Sequence, residues 1–289
     1  MTWAPLLLAD PSPCLRWLVL RQVLGRPEDD PEAQELAALR ESDPLVAGLL
    51  EQQQADGSWD GDAIPGMGRG QRLLATAQAL ARLGYLGFGP EQARVRRGAE
   101  YLFSHQEADG KWPLLGVGDE PGEREGYTMA PLQTARPLRG LALCGYAADP
   151  RSERAYDWLL AQRLDDGAWP TGIAGGGVYG GVAGYRRLAH SRWGCRSNTT
   201  GALLCLAHHP ERRRSPAAQR ALDLLLGRET REKHTLGFEV ARLIGLEPTR
   251  GFFTHYARFD LALVLDLCWR VGATLGVYGA AAGHPLGDL

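Results

Sequence analysis

Apolar residues recur along the chain at helical spacing, and no stretch alternates apolar with polar long enough to make a useful strand. The pattern predicts an all-α protein. Two kinds of helix take turns. Amphipathic ones are expected over Pro90 to His105, through Ala93, Val95, Ala99, Leu102 and Phe103, and over Pro150 to Gln162, through Ala155, Trp158, Leu159 and Leu160. Longer, more apolar ones are expected over Gln71 to Leu86, Leu132 to Tyr146, Cys195 to His208 and His255 to Val271. Gly84, Gly87, Pro90, Gly145, Pro150, Pro210, Pro216 and Gly272 punctuate the joins. Such an alternation packs as an inner ring of apolar helices covered by an outer ring of amphipathic ones. A hairpin that cannot bury its own apolar face must stack on its neighbours, and a closed stack is a barrel of helix hairpins. In that arrangement the inner helices begin near one mouth, and their amino ends bring side chains and helix-dipole charge to one cavity.

A repeated turn marks the joins. Gln53-Gln54-Ala55-Asp56-Gly57-Ser58-Trp59, Gln106-Glu107-Ala108-Asp109-Gly110-Lys111-Trp112 and Gln162-Arg163-Leu164-Asp165-Asp166-Gly167-Ala168-Trp169 each carry Asp-Gly-x-Trp behind a glutamine. One Asp-Gly is a turn; three in this frame are a repeat. Glycine supplies 37 of the 289 residues, about twice the usual ~7%. Seven of those glycines fall between Gly172 and Gly184, beside Tyr179 and Tyr185. That segment is too irregular for a phosphate loop and reads as a mobile flap over the mouth.

Charge and composition remove several classes of function. With 32 Lys+Arg against 34 Asp+Glu the net charge is -2, which argues against a dedicated nucleic-acid binder. Apolar runs such as Leu261-Ala262-Leu263-Val264-Leu265 fall far short of the roughly 18 residues of a membrane span. Met1 to Asp10 has no basic residue and an early Pro5, a poor signal peptide, so a cytoplasmic protein is expected. Five scattered cysteines without a CxxC read as reduced core thiols. All but two of the basic residues are Arg, a bias that fits a GC-rich bacterial genome.

The glutamine–glycine–tryptophan segments resemble the repeat of the squalene/oxidosqualene cyclase and protein prenyltransferase β-subunit superfamily, an α/α toroid. Further stretches are similar to the small stand-alone bacterial members: Leu15-Arg16-Trp17, Arg26-Pro27-Glu28-Asp29-Asp30-Pro31, Gln133 to Asp149, Trp193 to Thr200, and Phe259 to Asp266. The resemblance implies a toroid of about five helix hairpins over 44–289, with an amino-terminal helical segment, 1–43, packed on it. After Val271 the chain is glycine-rich and short of another outer helix. The helix around Leu15 to Leu24 is therefore expected to cover the last inner helix. A homodimer, rather than a monomer, is the other way to cover it.

Class II terpene cyclases of this superfamily protonate an alkene or epoxide from an Asp-x-Asp-Asp motif, and these 289 residues hold no such string. Glu28-Asp29-Asp30 and Leu164-Asp165-Asp166 come nearest, in a linker and a repeat turn. Asp260 and Asp266 remain as acids deep in an apolar pattern; Asp260 is the expected proton donor, assisted by His255 or Tyr256. The transferase branch implies zinc held by Asp, Cys and His. Cys195 matches that cysteine, Trp193 stands where the carboxylate is expected, and His255 begins the next inner helix. Tyr127, Gln133, Arg136, Trp193, Arg196 and Asn198 open inner helices and suit an apolar ligand with a polar or anionic head. His208-His209-Pro210 reads as a helix end and Arg212-Arg213-Arg214 as a solvated turn. The expected function is a terpenoid-cyclase-like protein that binds an isoprenoid and carries out isomerase or lyase chemistry without a cofactor. A zinc-dependent prenyltransferase-like enzyme and a non-catalytic binder of hydrophobic ligands are the alternatives.

Overall fold

A computed structural model of the chain describes residues 4–44, 46–64, 71–112, 130–171, 188, 191–226 and 261–272. These are helical, with no β-strand among them. No helix among them is long and apolar enough to cross a membrane. The chain divides into two compact units, Met1–Gln106 with Arg139–Ala147, and Glu107–Leu138 with Ala148–Leu289.

The first unit opens with α1 (Ala4–Leu8), α2 (Pro13–Leu18), which runs on through a π-helical turn at Val19–Val23, α3 (Pro31–Leu39) and α4 (Ala47–Glu51). Ser12 caps α2, accepting from the Leu15 N–H at 3.1 Å. The Ser12 hydroxyl and the Cys14 N–H both donate to the buried Asp43 carboxylate. Nearby the Arg40 guanidinium lies between the rings of Trp17 and Phe88, 4.0 and 4.7 Å from their centroids. It donates to the carbonyls of Leu86 and Gly87 at 3.2 and 3.0 Å. A cation out of water needs such partners, and these fasten the amino-terminal helices to α5 (Arg72–Tyr85). Most of α5 is buried, at Leu73 to Ala77, Ala79 to Ala81 and Leu83, with Gln78 half-buried and Arg82 exposed. By contrast α6 (Ala93–Ser104) buries one stripe, Val95, Gly98, Ala99, Leu102 and Phe103.

In the second unit the inner helices are α7 (Ala130–Leu141), as far as Leu138, and α9 (Arg196–Ala207), where every residue from Ser197 to Ala207 is buried. On α9 pack α8 (Pro150–Ala161), α10 (Pro216–Leu226) and α11 (Leu261–Val271). His208 closes α9, as the sequence predicts. Its neighbour His209 is buried, takes the N–H groups of Glu211 and Arg212 on Nδ1, and donates from Nε2 to Glu153 at 2.8 Å. Two backbone donors on Nδ1 leave Nε2 to carry the proton. The arginine turn has no buried residue, in keeping with the solvated expectation, but one of its side chains is paired. Arg212 pairs with Glu153 at 2.6 Å and Asp157 at 2.8 Å on α8, because the turn after α9 brings it over the first turns of that helix.

The repeat turns share one geometry. Each glycine has positive φ, +89° at Gly57, +99° at Gly110 and +98° at Gly167, a conformation that costs an L residue about 1–2 kcal/mol. The preceding Asp closes the turn on the amide two residues on: Asp56 to Ser58, Asp109 to Lys111, Asp166 to Ala168. The tryptophans are at most 1% exposed. Their backbone N–H groups donate to threonine hydroxyls near the start of the next inner helix: Trp59 to Thr76 at 3.0 Å, Trp112 to Thr134 at 3.3 Å, Trp169 to Thr199 at 3.0 Å. The indoles of Trp59 and Trp169 reach back to Leu49 and Leu159 carbonyls in the preceding helix. The third glutamine is out of register. Gln53 bonds the Gly57 and Arg94 carbonyls, whereas Gln162 bonds Trp158 within its own helix. The extra residue before Trp169 puts Arg163 where the first turn has Gln53.

Candidate functional site

The expected site is the set of inner-helix starts, and the structure brings two of them together in the second unit. Cys195 adopts an extended conformation (φ −99°, ψ 124°) and caps α9, its N–H held by the Trp169 carbonyl at 2.8 Å. The repeat turn therefore sets where α9 begins. Cys195 packs on Leu132 in the first turn of α7. Asn198, fully buried, accepts from the Leu132 N–H at 2.8 Å. Leu132 is the third residue of α7, and amides in a first turn have no partner in their own helix. Asn198 supplies one from α9. A Cβ at Gly201 would sit 2.6 Å from a Leu132 methyl carbon, so a larger residue there would push the Leu132 side chain aside. Cys195, Asn198 and Gly201 lie three residues apart, on one face of α9.

The polar candidates lie on the same two helices or just before α9. Gln133 and Arg136, half-buried, share a face of α7 at i, i+3; Arg196, also half-buried, opens α9. Trp193 is 39% exposed, with the Arg192 guanidinium 5.0 Å over its ring. An exposed indole with a guanidinium over its face is of a type that suits an apolar group ending in an anion. Cys195 is a thiol enclosed by apolar packing, and no group of three metal-binding side chains occurs among the described residues. Tyr127, His255, Tyr256 and Asp260 lie outside the described residues, so the proposed acid and its assistants are not part of this geometry. Asp266, the other acid candidate, gives both oxygens to Arg270 at 2.8 Å within α11. Asp30 and Asp166 do what their positions suggest, capping α3 and closing the repeat turn. An apolar groove of about 510 Å3 exists between α1 and α2, lined by Leu6, Leu7, Leu15 and Val19 among others. None of the candidate residues lines it.

Sequence reasoning missed Thr76, Thr134 and Thr199. Their one signal is a threonine within the first turns of each inner helix, at distances of 17, 22 and 30 residues after its tryptophan. Unequal spacing hides that register.

Residues 42–183, just under half of the chain, match the family profile described as squalene-hopene cyclase C-terminal domain. A protein of Sinorhizobium fredii (strain NBRC 101917 / NGR234) described as a probable squalene–hopene cyclase is 29% identical over 127 residues. The match covers 43% of this chain and 19% of that relative, so the chain spans about a fifth of the relative it resembles.

Proposed function

We propose that the chain, whose residues 42–183 match the squalene-hopene cyclase C-terminal domain profile, is a squalene-cyclase-like protein that binds an isoprenoid or similar apolar ligand at the starts of its inner helices. The observation that supports the reading is the buried junction of α7 and α9, Asn198 and Cys195 on Leu132, on the two helices whose starts carry Gln133, Arg136 and Arg196. Guanidinium and carboxamide groups bind a polar or anionic head, and aromatic surface accepts the hydrocarbon. In the catalytic form of this reading, Asp260 gives its proton to a ligand double bond. The O–H bond breaks, a C–H bond forms, and the resulting carbocation rearranges until a base, His255 or Tyr256, takes a proton back. Support for that step is the superfamily resemblance and the apolar pattern around Asp260.

Thermal unfolding with farnesyl and geranylgeranyl diphosphates tests the binding. A ligand that binds only the folded protein stabilises it by about 2.7 kcal/mol at a hundred times its Kd, a clear rise in melting temperature. If no isoprenoid raises it at saturation while a sugar or peptide does, the reading is wrong. Metal content of the purified protein separates this reading from a zinc-dependent transferase built on Cys195 and His255.

A further inference from the structure

The threonines that hold the repeat tryptophans put the three inner helices in a common register. Immediately before them stand Ala75, Gln133 and Asn198, and two before stand Leu74, Leu132 and Ser197. In the second unit the carboxamide at the first of these positions, Asn198, reaches the second position of the neighbouring inner helix, the Leu132 N–H, at 2.8 Å. We propose that Asn198 is a positioning residue: its side chain fixes the start of α7 against the start of α9, and so sets the spacing of the polar groups that would grip a ligand head. The inference rests on the function proposed above for that site.

Three observations converge on one atom group. Leu132 is 1% exposed and Asn198 is fully buried, so water cannot take over either end of the bond, and an unmet amide there is costly. The residue before Leu132 is Pro131, which has no N–H, so Leu132 carries the next amide along the turn that needs a partner. Cys195 and Gly201, three residues to either side of Asn198, also meet Leu132. One stripe of α9 therefore supplies an apolar contact, an acceptor and a close approach to a single residue of α7. Chemistry also accounts for the residue type. A carboxamide offers a strong neutral acceptor in an enclosed place where a carboxylate would have to be desolvated. Gln133 follows Leu132 directly, and Arg196 precedes Asn198 by two. A shift of α7 along α9 would change the distance between those two side chains.

The test has two arms on the full chain. Asn198→Leu keeps the volume and removes the acceptor; Asn198→Asp keeps an acceptor oxygen; Asn198→Ala is the variant to use if the leucine protein does not fold. In hydrogen exchange followed by mass spectrometry, Asn198→Leu should speed exchange of residues 130–138 at least tenfold and leave 199–207 protected. Asn198→Asp keeps an acceptor oxygen but must be desolvated, so its exchange over 130–138 should fall between wild type and Asn198→Leu. For binding, the probe is farnesyl diphosphate, and Asn198→Leu should weaken it tenfold or more. Glu153→Gln, on α8 and paired with His209 and Arg212 just after the end of α9, should lower stability without changing affinity, which separates positioning from general loosening. Unchanged exchange over 130–138 in Asn198→Leu overturns the proposal, as does equal loss of affinity in Glu153→Gln. A wild-type protein that binds no isoprenoid defeats the functional reading instead, and the exchange arm still decides what Asn198 does.

Discussion

Removing the hydroxyl of Thr199 should destabilise the second unit more than any change in its volume can explain. The Trp169 N–H donates to Thr199 Oγ1 at 3.0 Å, and both residues are fully buried. Thr199→Val keeps the shape and deletes the acceptor, leaving an amide with neither protein partner nor water. That desolvation costs about 1–3 kcal/mol. Thr199→Ser keeps the hydroxyl and loses a methyl group, about 1 kcal/mol with part of the cavity term. The order should therefore be wild type, serine, valine. A valine penalty near 2 kcal/mol is a fall of several degrees in Tm for a unit of this size. Urea unfolding followed by far-UV circular dichroism checks it, with an unchanged m-value showing that the denatured state is the same. Thr134→Val should cost less, because its bond from Trp112 is longer at 3.3 Å. A valine variant as stable as wild type, or a serine variant as damaged as the valine one, refutes the claim that this hydroxyl holds the turn.

Thiol reactivity should sort by burial. Burial, with Asp43 adding to it at Cys14 and Glu91 at Cys144, pushes both thiols up to about 12. At pH 8 a maleimide should label the half-exposed Cys268 in minutes and reach Cys14 and Cys144 only in denaturant; native labelling of either would contradict the packing. Asp149, the cap of α8, should give the chain an acid-sensitive increment of stability. Hydrogen bonds from the Arg151 side chain, the largest influence, hold its carboxyl below the ordinary 3.8 against the opposing effect of burial. A carboxyl lowered by folding stabilises fully above the unfolded value and loses that contribution as pH falls through the folded one. Asn is also a good cap, so Asp149→Asn isolates the charge. The gap between wild type and variant should be constant above about pH 5 and close towards pH 2–3 in thermal scans; a gap independent of pH would remove the ion-pair account.

Much of the architecture is legible in the sequence because helix boundaries follow from local chemistry. Gln71 to Leu86 is predicted and Arg72–Tyr85 observed, flanked by those two residues as caps; Cys195 to His208 brackets Arg196–Ala207 in the same way. Asp-Gly-x-Trp announces its turn because a left-handed glycine and an Asp that folds back on the chain leave few alternatives. The tertiary partners are not legible. Nothing near Trp169 in sequence reveals that Thr199 takes its N–H, and nothing near Leu132 reveals Asn198. Both bonds join residues 30 or more apart. The pairing within the arginine turn is hidden for a related reason. Three consecutive arginines read as a solvated run, and nothing near them in sequence reveals that the end of α9 sets Arg212 over Glu153 and Asp157.

The register of the inner helices separates scaffold from site within two adjacent residues. At Thr134 and Thr199 the side chain belongs to the repeat turn, and removing it would loosen the packing of a tryptophan. One residue earlier, about 100° around the helix, stand Gln133 and Asn198, and Asn198 accepts from the Leu132 N–H instead. The repeat thus fixes one face of each inner helix and leaves the adjoining position open to whatever the site needs. In the first unit that position is Ala75, buried and without a polar group. A conserved-looking turn can therefore support helices whose mouths differ chemically, which is how a shared fold comes to carry different sites. The repeat therefore carries the resemblance to squalene cyclases, while the proposed ligand contacts rest on other residues, Gln133, Arg136 and Arg196.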